Sequence, residues 1–272
     1  MSNTKTIAIT GATSGIGLAS SEALLEKGNQ LIFLVRNVEK AENVISDWDK
    51  KENVSIIECD LADLKSVKKA AAELLGKTEQ LDVLINNAGG TFQERLESKD
   101  GFELHFAVNH LGHFLLTKTI MPLLVKSNTK VINVSSEAHR AGKPDWKDLN
   151  LEKSYSAIKG YGNAKLYNIL FTKSLVDRGL TSYALHPGVI DSGFGDQLPG
   201  LLKIMWKLGK PFMKTTREGA STSIYLATND LSSDKNGEYF KDKKVNKASS
   251  LANSQAARDR LWEESDKMVA GF

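Results

Sequence analysis

Tyr161 and Lys165 stand four residues apart, so on a helix they share one face. An ammonium beside a phenol stabilises the phenolate and draws its pKa towards working pH, which suits proton transfer to and from a substrate oxygen. Ser135 and Ser136 close an apolar run and, on extended backbone, point to opposite sides. A second cluster, Thr10-Gly11-Ala12-Thr13-Ser14-Gly15-Ile16-Gly17, follows the first apolar run and opens an amphipathic stretch. Its glycines are spaced G-x-x-x-G-x-G. They permit a tight turn and close backbone approach, while free N–H groups at a helix start hold an anion such as a pyrophosphate.

These residues need a scaffold, and the hydrophobic pattern supplies one. Continuous apolar runs at Thr6–Thr10, Gln30–Val35, Val54–Cys59, Leu81–Asn86, Lys130–Ser135 and Thr181–His186 read as strands buried on both faces. Amphipathic segments near 15–28, 38–51, 63–78, 101–126 and 156–178 read as helices, and a short strand at Glu238–Phe240 precedes a last helix at Leu251–Val269. This alternation predicts an α/β fold: one Rossmann-type domain over residues 1–272, a doubly wound parallel sheet with helices on both faces. Two segments, Glu137–Ser154 and Asp191–Lys214, break the rhythm at the carboxyl edge of the sheet, where such folds bind ligands.

Composition narrows the class further. The chain has 272 residues, 36 Lys and Arg against 33 Asp and Glu, and a net charge of +3, too small an excess to indicate nucleic-acid binding. The single Cys59 excludes an internal disulfide and reads as a small core residue. No apolar run approaches the roughly 18 residues of a membrane span, and no signal-peptide pattern opens the chain, so the expected location is the cytoplasm. His110 and His113 are three apart, but no carboxylate or cysteine pattern completes a metal site, and none is expected.

The end of the second strand bears on which dinucleotide binds. It reads Val35-Arg36-Asn37 with no acid to accept from the ribose 2′-hydroxyl of NAD, while Arg36 can pair bidentately with the 2′-phosphate of NADP. NADP is therefore expected over NAD. Asp60 and Leu61 follow the third strand; the Asp60 carboxylate could accept from the adenine amino group or cap the next helix.

Further motifs come in order: Asn86-Asn87-Ala88-Gly89, Ser135-Ser136, Tyr161-Gly162-Asn163-Ala164-Lys165 and His186-Pro187-Gly188. Together with the glycine cluster they resemble the short-chain dehydrogenase/reductase family over roughly residues 5 to 245. Val108-Asn109-His110-Leu111-Gly112-His113-Phe114, the run Asn133 to His139 and the run Tyr183 to Val189 are similar to its retinol-dehydrogenase-like branch, which includes the WW-domain-containing oxidoreductases.

The resemblance implies hydride transfer between NADP(H) and a carbonyl or alcohol group. It implies a catalytic set of Ser136, Tyr161 and Lys165, with Lys165 also holding the nicotinamide ribose and Asn109 supporting a water-linked proton path. Ser135 is then structural, and Asn109 alternatively satisfies backbone groups. Gly11, Thr13, Ser14, Gly15, Ile16, Gly17, Arg36, Asn37, Asp60, Leu61, Asn87, Ala88, Gly89, Pro187, Gly188 and Ser192 would line the cofactor. Residues about 191–216 would form a lid, and its basic, apolar stretch Leu201 to Lys210 suggests a lipophilic substrate or an interfacial helix. The helices near 101–126 and 156–178 would pair with a second copy as a homodimer. A non-catalytic NADP-binding sensor is the alternative from another class; nucleotide-sugar epimerase or dehydratase chemistry is weaker still.

Overall fold

The computed structural model describes residues 4–189 and 214–272. Strands β1 (Thr6–Thr10), β2 (Gln30–Val35), β3 (Val54–Glu58), β4 (Val83–Asn86), β5 (Lys130–Val134), β6 (Thr181–His186), β7 (Tyr239–Lys241) and β8 (Lys244–Val245) form one sheet. Its order is β3-β2-β1-β4-β5-β6-β7-β8. Strands β1 to β7 pair in parallel, and β8 turns back antiparallel on β7. The order reverses between β1 and β4, the switch point at which open α/β sheets bind ligands beyond the strand carboxyl ends.

The strands lack polar alternation because both faces are covered. Ile7, Ile9, Phe33, Val35, Ile85, Ile132 and Leu185 pack on one side. Ala8, Ile32, Leu34, Leu84, Val131 and Ala184 pack on the other. Helices α1 (Gly15–Glu26), α2 (Val38–Ile45) and α3 (Leu64–Lys77) cover the first half of the sheet. Asn37 caps α2 by accepting from the Lys40 N–H at 2.7 Å, and Asp63 caps α3 by accepting from the Ser66 N–H at 3.1 Å. Helix α2 stops at Ile45, short of the expected residue 51, because the chain turns inward to set Trp48 edge-on against Phe33, 6.1 Å between ring centroids.

The helix expected near 101–126 is subdivided. It runs as α4 (Leu104–Phe106), a π turn (Ala107–Leu111) and α5 (Gly112–Thr119), then restarts as α6 (Met121–Lys126) with Pro122 in its first turn. Helix α7 (Ala157–Val176) carries Tyr161 and Lys165, and Ser156 caps it by accepting from the Lys159 N–H at 3.2 Å. Helix α8 (Thr216–Thr228) was not anticipated: its many Thr and Ser residues give it low intrinsic propensity. The readable signal was the capping box, in which Thr215 accepts from the Glu218 N–H and Glu218 returns to the Thr215 N–H at 2.8 Å.

Helix α9 (Gln255–Val269) lies across α5 and α7. Trp262 packs 4.8 Å from Phe114, Ser265 meets His110 at 2.9 Å, and Asp266 pairs with Lys118. Helix α9 thus covers part of the face of α5 and α7. Among the described residues no helix is long and apolar enough to cross a membrane.

Candidate active site

A cleft of about 770 Å³ opens at the carboxyl edge of the sheet. Gly11, Thr13, Ser14, Gly15, Ile16 and Gly17 line it, with Arg36, Asn37, Asp60, Leu61, Asn87, Ala88 and Gly89. The sequence-predicted cradle is thus gathered in one place. Ser14 stands at the N-cap of α1 in extended backbone with no side-chain cap, and no acid occupies the first turn, so the positive helix end faces the cleft without a competing carboxylate. Gly17 is required by space: a Cβ there would lie 2.2 Å from the Gly11 carbonyl oxygen and 2.5 Å from Asn87 Nδ2. The glycine loop and the β4 end interlock at that point, leaving a cradle fit for a pyrophosphate.

Thr10 was not singled out from sequence, yet it is the hub of this interlock. Its Oγ1 accepts the N–H groups of Asn87 and Ala88, both at 2.9 Å. Its own proton then goes to His113 Nε2 at 2.9 Å, so His113 carries its proton on Nδ1 and donates to the Asn109 carbonyl at 3.3 Å. Burial pushes His113 down to about 4 and His110 down to about 3, which keeps both rings neutral. The two histidines turn to different partners, Thr10 and Ser265.

At the β2 end, Lys40 joins Arg36 in lining the cleft, a second cation that sequence reasoning missed. Its signal was its place on the first turn of the helix that Asn37 caps. Asp60 does not cap α3, a role Asp63 takes; it accepts instead from the Ala62 N–H at 3.0 Å within the loop.

The catalytic candidates meet where β5 ends beside α7. Ser135 donates to the Lys165 backbone carbonyl at 2.6 Å and is structural, as expected. Ser136 lies on the other side, and its Oγ accepts from the Ala138 N–H at 3.2 Å. Lys165 is buried, 4% exposed, with Nζ donating to the Val134 carbonyl at 3.1 Å and 5.5 Å from the Tyr161 ring centroid. A Cβ on Gly89 would lie 3.3 Å from this Nζ, so the ammonium sits directly behind the cleft wall.

Two effects bear on the Tyr161 phenol. Burial raises the phenol above its usual value of 10.0, and the neighbouring Ser136 hydroxyl opposes this only in part. Lys165 itself is pushed down to about 8 by burial.

Asn109 sits in the π turn with both side-chain donors engaged, to the Gly90 carbonyl at 3.1 Å and the His105 carbonyl at 3.0 Å. Its Oδ1 accepts from the Gly90 N–H at 3.2 Å. The reading in which Asn109 satisfies backbone groups is the one this geometry displays. Gly188 follows β6 at φ +103°, against the Lys214 side chain. Pro187 and Gly188 do not line the same cleft, and neither do Asn109, Ser136, Tyr161 or Lys165. Ser192, most of the expected lid and the stretch Leu201 to Lys210 lie outside the described residues.

Comparison with known proteins agrees with this architecture. A profile of the short chain dehydrogenase family matches residues 5–199. Human retinol dehydrogenase 12 is 40% identical over 273 residues, covering 97% of this chain and 86% of its own length. Human retinol dehydrogenase 11 is 37% identical, covering 96% and 84%. Among solved structures, an uncharacterized protein from Mycobacterium paratuberculosis superposes with a TM-score of 0.79 at 29% identity, covering 98% of this chain and 93% of that one. The NADPH-bound carbonyl reductase from chicken fatty liver shares the fold, with a TM-score of 0.68 at 24% identity over 89% and 98% of the chains. Sheet order, glycine cradle and relatives converge: the chain belongs to the short-chain dehydrogenase/reductase family, in its retinol-dehydrogenase-like group, and is an NAD(P)-dependent oxidoreductase.

Proposed function

We propose that the protein transfers hydride between NADP(H) and a carbonyl or alcohol group of a lipophilic small molecule, with Ser136, Tyr161 and Lys165 as its catalytic set. The observation that carries this reading is the buried Lys165, its Nζ 5.5 Å from the Tyr161 ring and directly behind Gly89 in the wall of a cleft fit for a dinucleotide. Gly11 to Gly17 would hold the pyrophosphate, and Arg36 with Lys40 the 2′-phosphate. The nicotinamide, when bound, supplies or accepts the hydride.

The protein's part is orientation and the proton. Ser136 holds the substrate oxygen close to the Tyr161 hydroxyl. Tyr161 gives its proton to that oxygen during reduction; its raised pKa keeps the phenol protonated at neutral pH, which favours the donor role. Lys165 places positive charge beside the phenolate that forms. Asn109 fixes Gly90, and with it the wall behind which Lys165 lies.

Purified protein is expected to oxidise NADPH in the presence of hydrophobic aldehydes or ketones. Tyr161→Phe is expected to lower kcat by at least a thousandfold while leaving NADPH binding intact. Full activity in that variant refutes the catalytic assignment. For the cofactor, Arg36→Asp is expected to raise the NADPH Kd at least tenfold with little change for NADH; equal affinities before and after refute the 2′-phosphate role.

A further inference from the structure

Residues 90 to 92 form the lip of the cleft between the β4 end and α4, and Phe92 lines the cleft itself. Four hydrogen bonds pin this lip. Two join Gly90 to the Asn109 side chain. The others hold residue 92: its N–H donates to His105 Nε2 at 2.9 Å, and its carbonyl accepts from the Tyr155 hydroxyl at 2.6 Å.

The first of these fixes the chemistry of His105. A backbone N–H can only donate, so Nε2 must be bare and accept. The ring proton therefore sits on Nδ1, which meets Glu103 Oε1 at 2.8 Å. Glu103 is 1% exposed and His105 fully buried. The carboxylate is fully satisfied: Oε1 also accepts from the His105 N–H at 3.0 Å, and Oε2 from the Phe106 N–H at 3.0 Å. So complete a set of donors is what permits a carboxylate in the interior.

The ring of His105 has a second neighbour. It lies against Gly160, the residue before Tyr161; a Cβ at position 160 would come within 2.7 Å of His105 Nδ1. Its centroid is 6.1 Å from that of Tyr161 and 6.2 Å from that of Tyr155, on which it stacks. One imidazole thus touches both the lip of the cleft and the helix turn that presents the catalytic phenol.

We propose that Glu103 and His105 are positioning residues for the reaction: the buried carboxylate holds His105 as the Nδ1–H tautomer, so that its bare Nε2 anchors Phe92 at the substrate side of the cleft while its ring sets the Gly160–Tyr161 turn. This rests on the oxidoreductase reading above. Neither residue touches substrate. Phe92 is the wall they place, and substrate affinity is the quantity they govern.

The test compares His105→Phe, which fills the space without either bond, with His105→Gln, whose side-chain oxygen can stand where Nε2 stood. In the wild type, 15N spectroscopy of the imidazole is expected to show Nδ1 protonated and Nε2 bare. In His105→Phe the Phe92 amide is expected to exchange with solvent at least tenfold faster. The KM for a hydrophobic aldehyde is expected to rise at least tenfold, with the NADPH Kd within twofold of wild type. His105→Gln is expected to restore slow exchange and most of the KM. Tyr155→Phe removes the other anchor of residue 92 and keeps the core; it is expected to raise KM in the same direction, and serves if His105→Phe does not fold. Unchanged exchange and KM in these variants, or a wild-type proton on Nε2, overturns the proposal. If no aldehyde or ketone is turned over, the functional reading fails, whereas the tautomer and the exchange rates still decide whether the pair anchors Phe92.

Discussion

Replacing Lys165 by Met is expected to stabilise the protein at pH 7 while removing the cation proposed to act in catalysis. The ammonium is 4% exposed, and burial lowers its pKa from 10.5 to about 8. That lowering corresponds to about 3 kcal/mol of destabilisation carried by the charged form. Met keeps most of the packed stem and removes the charge. The Val134 carbonyl loses one donor but keeps another, Asn168 Nδ2 at 3.0 Å, so the loss on that side is small.

The gain depends on pH in a defined sense. Below about pH 8 both folded and unfolded wild-type chains hold the proton, and the full cost stands. Between about 8 and 10.5 the folded chain sheds it while the unfolded chain keeps it, so wild-type stability rises with pH. Above 10.5 the contribution is gone. Urea unfolding of both proteins at pH 7 and pH 10 is expected to show Lys165→Met ahead by about 2–3 kcal/mol at pH 7. Most of that lead is expected to vanish at pH 10. Lys130, buried at the other end of β5 and also lowered to about 8, titrates in the same window in both proteins, so only their difference is read. A variant less stable than wild type at pH 7, or a difference that does not move with pH, refutes the reasoning.

Three further outcomes are expected. Gly17→Ala places a methyl 2.2 Å from the Gly11 carbonyl oxygen and so must shift the loop; a fluorescence titration is expected to show the NADPH Kd rise at least tenfold in a folded protein. Trp262→Ala removes the ring that packs on Phe114 and Phe171 and that Arg178 covers at 3.4 Å; it is expected to cost about 3 kcal/mol in urea unfolding. Cys59 is buried with its thiol pushed up to about 12, so at pH 8 iodoacetamide is expected to leave the native chain unlabelled and to modify it fully in urea.

Much of this was legible in the residues because it is local or periodic. Runs such as Gln30–Val35 must be strands covered on both faces, and a glycine cluster between a strand and a helix must be a close-approach turn. The four-residue spacing of Tyr161 and Lys165 put both on one helical face. The sign of the Tyr161 shift was decided only by tertiary structure, because desolvation depends on what packs around a group. So were the hub at Thr10, the cover of α5 and α7 by α9, and the meeting of His105 with Phe92 and Gly160. Hydrogen bonds between residues far apart in the chain leave no periodic trace; they exist only once the sheet order has brought their strands and helices side by side.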